Sequence, residues 1–147
     1  MAPDQPAILL IDDITEIRWV HRSVLEGAGY HVLVTDDNDE ALSLLETHRS
    51  ETRLIIQDSD RPLGRCLGGD NRTSHADSGV RFYRCILTAR FPEIPVIFVS
   101  GRTSDLYRHE VDIPIYEKPM EEDALVCLVR RTLSSRDDPD EGVIERG

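Results

Sequence analysis

Apolar residues in this chain come in two patterns, short unbroken runs and longer stretches where they recur every third or fourth position. Ile8-Leu9-Leu10-Ile11, Leu54-Ile55-Ile56 and Val96-Ile97-Phe98-Val99 are runs of the first kind. Short and apolar on every residue, they predict strands covered on both faces, as in a parallel sheet. The second pattern predicts helices. Thr15 to Glu26 carries Ile17, Val20, Val24 and Leu25, with Gly27-Ala28-Gly29 to stop it. His31 to Thr35 predicts a second, shorter strand, and Asn38 or Asp39 is placed to cap a helix through His48 with Ala41, Leu42, Leu44 and Leu45 inward. Arg53 to Gln57 is the third strand. Helical spacing resumes from Gly79 to Arg90 on Phe82, Ile86 and Leu87, ahead of a fourth strand, Val96 to Ser100. A short helix from Ser104 or Asp105 toward Glu110, a strand from Ile113 to Glu117 and an amphipathic helix from Glu121 to Leu133 complete the series.

Five strands alternating with five helices imply an α/β fold: a doubly wound five-stranded parallel sheet with helices on both faces, since each right-handed crossover must cover a face. The 147 residues fit one domain, which at this size buries roughly two-thirds of its unfolded surface. The expected division is an extension over 1–6, a domain over 7–134 and an acidic, frayed tail over 135–147. Periodicity fails from Ser59 to Ser78, where Gly64, Gly68, Gly69, Asn71 and Ser74 supply turn chemistry and little to bury.

Charge narrows the partners. Lys and Arg total 17 against 28 Asp and Glu, for a formal charge of −11, which disfavours direct binding to nucleic acid or an anionic membrane. No apolar run approaches the roughly 18 residues of a membrane span and the amino terminus lacks a leader pattern, so a cytoplasmic protein is expected. Cys66, Cys85 and Cys127 lack metal-ligand spacing and read as free thiols. Cys85 and Cys127 fall at apolar helix positions and are expected to pack; Cys66, in the Gly-rich loop, is the one open to reaction, although nothing nearby clearly lowers its pKa.

Candidate chemistry lies at the strand ends. Asp12 and Asp13 close the first strand, Asp58 the third, Ser100 the fourth, and Lys118 follows the fifth. In open α/β sheets that carboxyl edge is where ligands bind. Carboxylates gathered there repel by ~4 kcal/mol per close pair at an effective dielectric near 20, so a bound cation is expected. One acidic strand end is explained by solvation or helix capping; three acidic residues, a serine and a lysine gathered at the ends of four strands are not.

This arrangement resembles the receiver domain of two-component response regulators from Ala7 to Leu133. The resemblance is carried by Ile8-Leu9-Leu10-Ile11-Asp12-Asp13, Glu16-Ile17-Arg18, Glu26-Gly27-Ala28-Gly29-Tyr30, Asp58 with Pro62 four residues on, Val99-Ser100-Gly101 and Glu117-Lys118-Pro119. It implies a flavodoxin-like strand order, 2-1-3-4-5, and phosphorylation of Asp58 by a histidine kinase or histidine phosphotransfer protein. It also implies Mg²⁺ held by Asp13 and Asp58 directly, by Asp12 through water and by the backbone carbonyl of Asp60. Lys118 would pair with the phosphoryl group and the Ser100 hydroxyl would bond another of its oxygens. These new contacts would shift the domain toward a state that signals to a downstream protein target. Lys118-Pro119 is expected to be cis, and Gly101 to leave access to Asp58.

Three departures stand out. The Gly expected about eight residues past Asp58 is Gly79, twenty-one residues on, so about 13 residues are inserted, roughly over 63–77. Long loops in compact domains are usually functional or disordered, so the insertion is read as a lid or docking loop, or as a disordered one; His75 within it is read as solvated. The stretch from Ser100 to Lys118 is about four residues short. The position three before the lysine, aromatic in many receivers, is Ile115, while Tyr116 should face the other way. Trp19 is expected to pack at the core edge, and Asp60 and Arg102 flank the site where phosphoryl lifetime would be tuned. Two other readings compete with the stand-alone receiver. One is a receiver-fold interaction module that is never phosphorylated. The other is a haloacid-dehalogenase-type phosphatase using Asp58-Ser59-Asp60, disfavoured because Asp12-Asp13 comes first in the chain.

Overall fold

The structure, a computed structural model, describes residues 6–101, 113–118 and 120–137. The helix expected near 104–110, Arg102 and the Lys118-Pro119 bond lie outside the described residues.

Five parallel strands form the sheet: β1 (Ala7–Ile11), β2 (His31–Thr35), β3 (Thr52–Gln57), β6 (Val96–Ser100) and β7 (Ile115–Glu117), in the order β2-β1-β3-β6-β7. This is the 2-1-3-4-5 order once the two short strands described below are set aside. Every residue of β1 is buried, and its side chains alternate between two cores. On one face Ile8 and Leu10 join Leu25, Leu125, Leu128 and Val129 from α1 (Thr15–Gly27) and α5 (Glu122–Asp137). On the other, Leu9 and Ile11 join Ala41 and Leu45 of α2 (Asn38–Thr47), with Phe82, Ile86 and Leu87 from residues 78–90. No described helix is long and apolar enough to cross a membrane.

Several helical details differ from expectation. α1 turns His21 and Leu25 inward and leaves Trp19 and Val20 exposed, Trp19 to 69%. Arg18 donates from Nη1 to the Asp12 carbonyl at 2.6 Å, while Val24 packs beside Leu25 on the core. Exposed to that extent, Trp19 is not core-edge packing. Asp37, not Asn38 or Asp39, caps α2 by accepting from the Glu40 N–H at 3.0 Å. The expected helix over 79–90 is α3 (Ser78–Phe82), a π-helical turn (Tyr83–Leu87) and α4 (Thr88–Arg90). Its inward positions are taken by Phe82, Ile86 and Leu87, so Cys85 is exposed; Leu125, Leu128 and Val129 likewise leave Cys127 exposed. Neither cysteine packs as expected. α5 also runs past Leu133, through the start of the expected tail.

The inserted stretch is an ordered ribbon. β4 (Arg61–Pro62) pairs antiparallel with β5 (Ser74–His75), and a 3₁₀ turn spans Arg65–Leu67 between them. Asp39 of α2 accepts from the Arg65 and Cys66 backbone N–H groups at 2.9 and 2.8 Å. Gly64 makes that approach possible: it has φ +74°, and a Cβ there would sit 2.9 Å from the Asp39 carboxylate. Burial works against the Asp39 charge, but the two N–H donors outweigh it and hold its carboxyl below the ordinary value.

Candidate functional site

Backbone ladders aim the chemistry. The Asp12 N–H donates to Thr35 O at 3.1 Å, Asp58 N–H to Ile11 O at 3.0 Å and Lys118 N–H to Ser100 O at 3.0 Å. Each bond extends a strand pair by one residue, so all three residues leave the sheet at its carboxyl edge, where their side chains meet. Lys118 Nζ donates to Asp12 Oδ2 at 2.6 Å and to Asp58 Oδ2 at 2.7 Å, and the three side chains are only 8, 3 and 7% exposed. So little solvent screens these contacts that the charges act strongly on one another, and removing one partner would leave the others buried and uncompensated. Asp13 is exposed, and one carboxylate oxygen from each of Asp12, Asp13 and Asp58 lies within 4.8 Å of the others. Ser100 is buried with its Oγ 3.3 Å from that of Ser59, while the Ser59 N–H donates to Asp58 Oδ1 at 2.6 Å. Asp60, half-buried, follows in the same turn.

The cluster is electrostatically tense. Partial burial, then the charges of Asp58 and Asp12, push the Asp13 carboxyl above its ordinary value against the opposing pull of Lys118. Burial pulls the Lys118 ammonium down, but its hydrogen bonds to Asp12 and Asp58 outweigh this and leave it above the ordinary value. Three oxygen donors, one of them on the open side, fit a hard divalent cation such as Mg²⁺, which keeps several waters and uses few carboxylates. Asp12 also accepts the Ile14 N–H on Oδ1 at 2.9 Å, which ties the start of α1 to the site.

Gly79 closes the floor. Its N–H donates to Ser59 O at 2.9 Å, and a Cβ would fall 2.3 Å from the Asp58 carbonyl oxygen. Only glycine lets α3 come so near. Among the described residues, a Cβ at Gly101 would meet nothing within 4 Å.

Some site residues were invisible to pattern reading. Arg61, Asn38, Gln57 and Ser59 are all buried around the Asp58 backbone; a polar residue beside Pro62 or at a helix start reads as solvated, and no spacing signals otherwise. His21 is also buried, its imidazole held below the ordinary value by burial, with Asp12 opposing and Lys118 assisting. Cys66 is the reverse case: half-buried, its thiol is pushed up to about 12 by burial and by Asp39, which removes it as a reactive nucleophile. Beside Lys118 an apolar groove of about 490 Å³ is lined by Ile14, Ile17, Val20, His21 and Met120.

No protein-family model matches the chain, and no curated protein matches its sequence. Solved structures do resemble it. A response regulator receiver domain protein from Clostridium thermocellum superposes with TM-score 0.65 at 19% identity over 90% of this chain and 97% of that one. A response regulator from Thermotoga maritima gives 0.67 at 21% identity over 89% and 99%. The receiver domain of NtrX from Brucella abortus gives 0.64 at 24% identity over 87% and 98%. The chain has the fold of response regulator receiver domains.

Proposed function

We propose that this protein is a response regulator receiver that accepts a phosphoryl group on Asp58 from a histidine kinase or histidine phosphotransfer protein. The observation that carries the reading is the meeting of Asp12, Asp13 and Asp58 within 4.8 Å, with Lys118 clamped between two of them. An Asp58 carboxylate oxygen attacks phosphorus, the phosphorus–nitrogen bond of the donor phosphohistidine breaks with its electron pair going to nitrogen, and the imidazole, already protonated on its other ring nitrogen, leaves neutral. Asp13, Asp58, the Asp60 carbonyl and, through water, Asp12 would hold Mg²⁺, which would supply charge neutralisation for the phosphoryl oxygens.

This chain's own groups do the rest. Lys118 gives up one carboxylate partner and offers an ammonium proton to the new phosphoryl oxygen, while the Ser100 hydroxyl exchanges Ser59 for another. Because these contacts exist only after transfer, they bias the domain toward its signalling state. The apolar groove beside Lys118, with exposed Trp19 on the same helix, supports a protein partner docked next to the acceptor. The acidic surface supports a protein target rather than nucleic acid or membrane, in the cytoplasm.

Incubation with Mg²⁺ and acetyl phosphate, followed by intact-mass measurement, tests the reading. One added phosphoryl group is expected on the parent, none on Asp58→Asn, and none when a chelator removes the metal. Absence of labelling on the parent would favour a phosphorylation-independent interaction module instead.

A further inference from the structure

A knot of buried polar side chains lies between Asp58 and the ribbon. Arg61 is fully buried, and among the described residues its hydrogen bonds go to neutral oxygens: Nε to Asn38 Oδ1 at 2.5 Å, Nη1 to the Asp58 carbonyl at 2.6 Å and Nη2 to Gln57 Oε1 at 2.6 Å. Its guanidinium also sits 5.5 Å from the centre of the Phe82 ring. Asn38 continues the chain, because its Nδ2 donates to the carbonyls of Pro62 and Leu63 at 3.2 and 3.1 Å and to Ser78 Oγ at 2.9 Å. Those are the two ends of the inserted stretch. Gln57 in turn donates to Gly79 O at 3.2 Å. Two side chains thus hold the acceptor's own backbone, the start of α2 and both roots of the ribbon. A buried network this fully satisfied shifts as a unit, since releasing one member leaves the others unpaired in a dry site.

We propose that Arg61 and Asn38 are positioning residues that couple the 63–77 ribbon to Asp58, so that opening the ribbon displaces the acceptor and occupancy of the acceptor site tightens the ribbon. The inference rests on the reading of Asp58 as a cation-assisted phosphoryl acceptor. Coupling of this kind is reciprocal: whatever factor the ribbon exerts on cation affinity, the cation exerts on ribbon opening. A ribbon-binding partner would then set how readily Asp58 accepts phosphate.

Asn38 touches no carboxylate of the cluster, so Asn38→Ala tests the coupling by a route that leaves the proposed metal ligands in place. On the full chain, amide hydrogen exchange by NMR and Mg²⁺ titration by calorimetry are measured for the parent and the variant. Exchange across 61–75 is expected to quicken about tenfold in Asn38→Ala, Mg²⁺ affinity to fall at least about threefold, and Mg²⁺ to slow ribbon exchange in the parent. Faster ribbon exchange with unchanged Mg²⁺ affinity overturns the proposal, as does unchanged ribbon exchange. If Asn38→Ala does not fold, Asn38→Asp keeps the acceptor for Arg61 and cuts the bonds to Pro62 and Leu63, with the same outcomes expected. A parent that binds no Mg²⁺ defeats the phosphoryl-acceptor reading instead. The coupling is then decided on metal-free protein by the Ser59 and Asp60 amides, whose exchange must quicken with the ribbon's; quickening confined to the ribbon overturns it.

Discussion

Two buried cations flank Asp58, and they are bonded in opposite ways. Lys118 approaches from the solvent edge and hydrogen-bonds two carboxylates. Arg61 approaches from beneath and hydrogen-bonds only neutral oxygens among the described residues. Burial pulls the Arg61 guanidinium down to about 10, with the charges of Asp58, Asp13 and Asp12 opposing, so it stays charged at neutral pH. What Lys118 gives Asp12 and Asp58, a divalent cation can also give. What Arg61 gives the Asp58 carbonyl requires a planar fork with fixed donors, which no ion supplies. One cation is exchangeable and suited to switching; the other is fixed and suited to holding the frame in which switching occurs.

Removing each cation should expose that difference. Arg61→Met leaves Asn38, Gln57 and the Asp58 carbonyl without their donor, and is expected to cost about 3 kcal/mol of folding stability, at about 1 kcal/mol per stranded partner. Urea denaturation should show that loss without Mg²⁺ and no recovery of it when Mg²⁺ is added, and an Arg61→Met variant as stable as the parent would break the contrast. Lys118→Met is expected to cost about 3 kcal/mol in metal-free protein, because it leaves two buried carboxylates without their cation, and most of this should return when Mg²⁺ is added. A loss indifferent to metal would make Lys118 a frame residue like Arg61.

His21 offers the smallest and subtlest probe, since Asp12 and Lys118 act on it in opposite directions. Its folded pKa lies below the ordinary 6.5, so the unfolded state binds the proton more readily. Its contribution is complete above about pH 6.5 and is lost as pH falls from there through the lowered folded value. Urea midpoints for the parent should drop between pH about 7.5 and about 5.5, and His21→Leu should flatten that drop. An unchanged slope would show that other groups carry it.

The contrast also marks what could be read in the sequence. Asp12, Asp13, Asp58 and Ser100 were legible because each ends or follows a strand that announces itself by an apolar run, Lys118 because it follows the next strand in the series, and strand ends in a parallel sheet share an edge. Their convergence is a consequence of topology. Arg61 and Asn38 were not legible, because their burial depends on a ribbon folding back over them, and Gly-rich segments carry no periodicity from which to infer that return. In α1 the expected stripe of Ile17, Val20, Val24 and Leu25 was legible in part: Leu25 is buried and Val24 packs on the same core, while Val20 is exposed and His21 takes an inward position. The opposite facing of Ile115 and Tyr116 was readable, since strand alternation alone puts Ile115 against Val80 and Phe98 and Tyr116 against the α1 and α5 core.

The most direct measurement is chemical. An acyl phosphate on a carboxylate is reduced by borohydride to the alcohol, so phosphorylated parent protein treated this way and digested should yield a peptide with homoserine in the place of Asp58. Homoserine at that position alone, dependent on Mg²⁺, is the predicted result; homoserine at another aspartate, or none after incubation with Mg²⁺ and acetyl phosphate, would contradict the assignment of Asp58 as the phosphoryl acceptor.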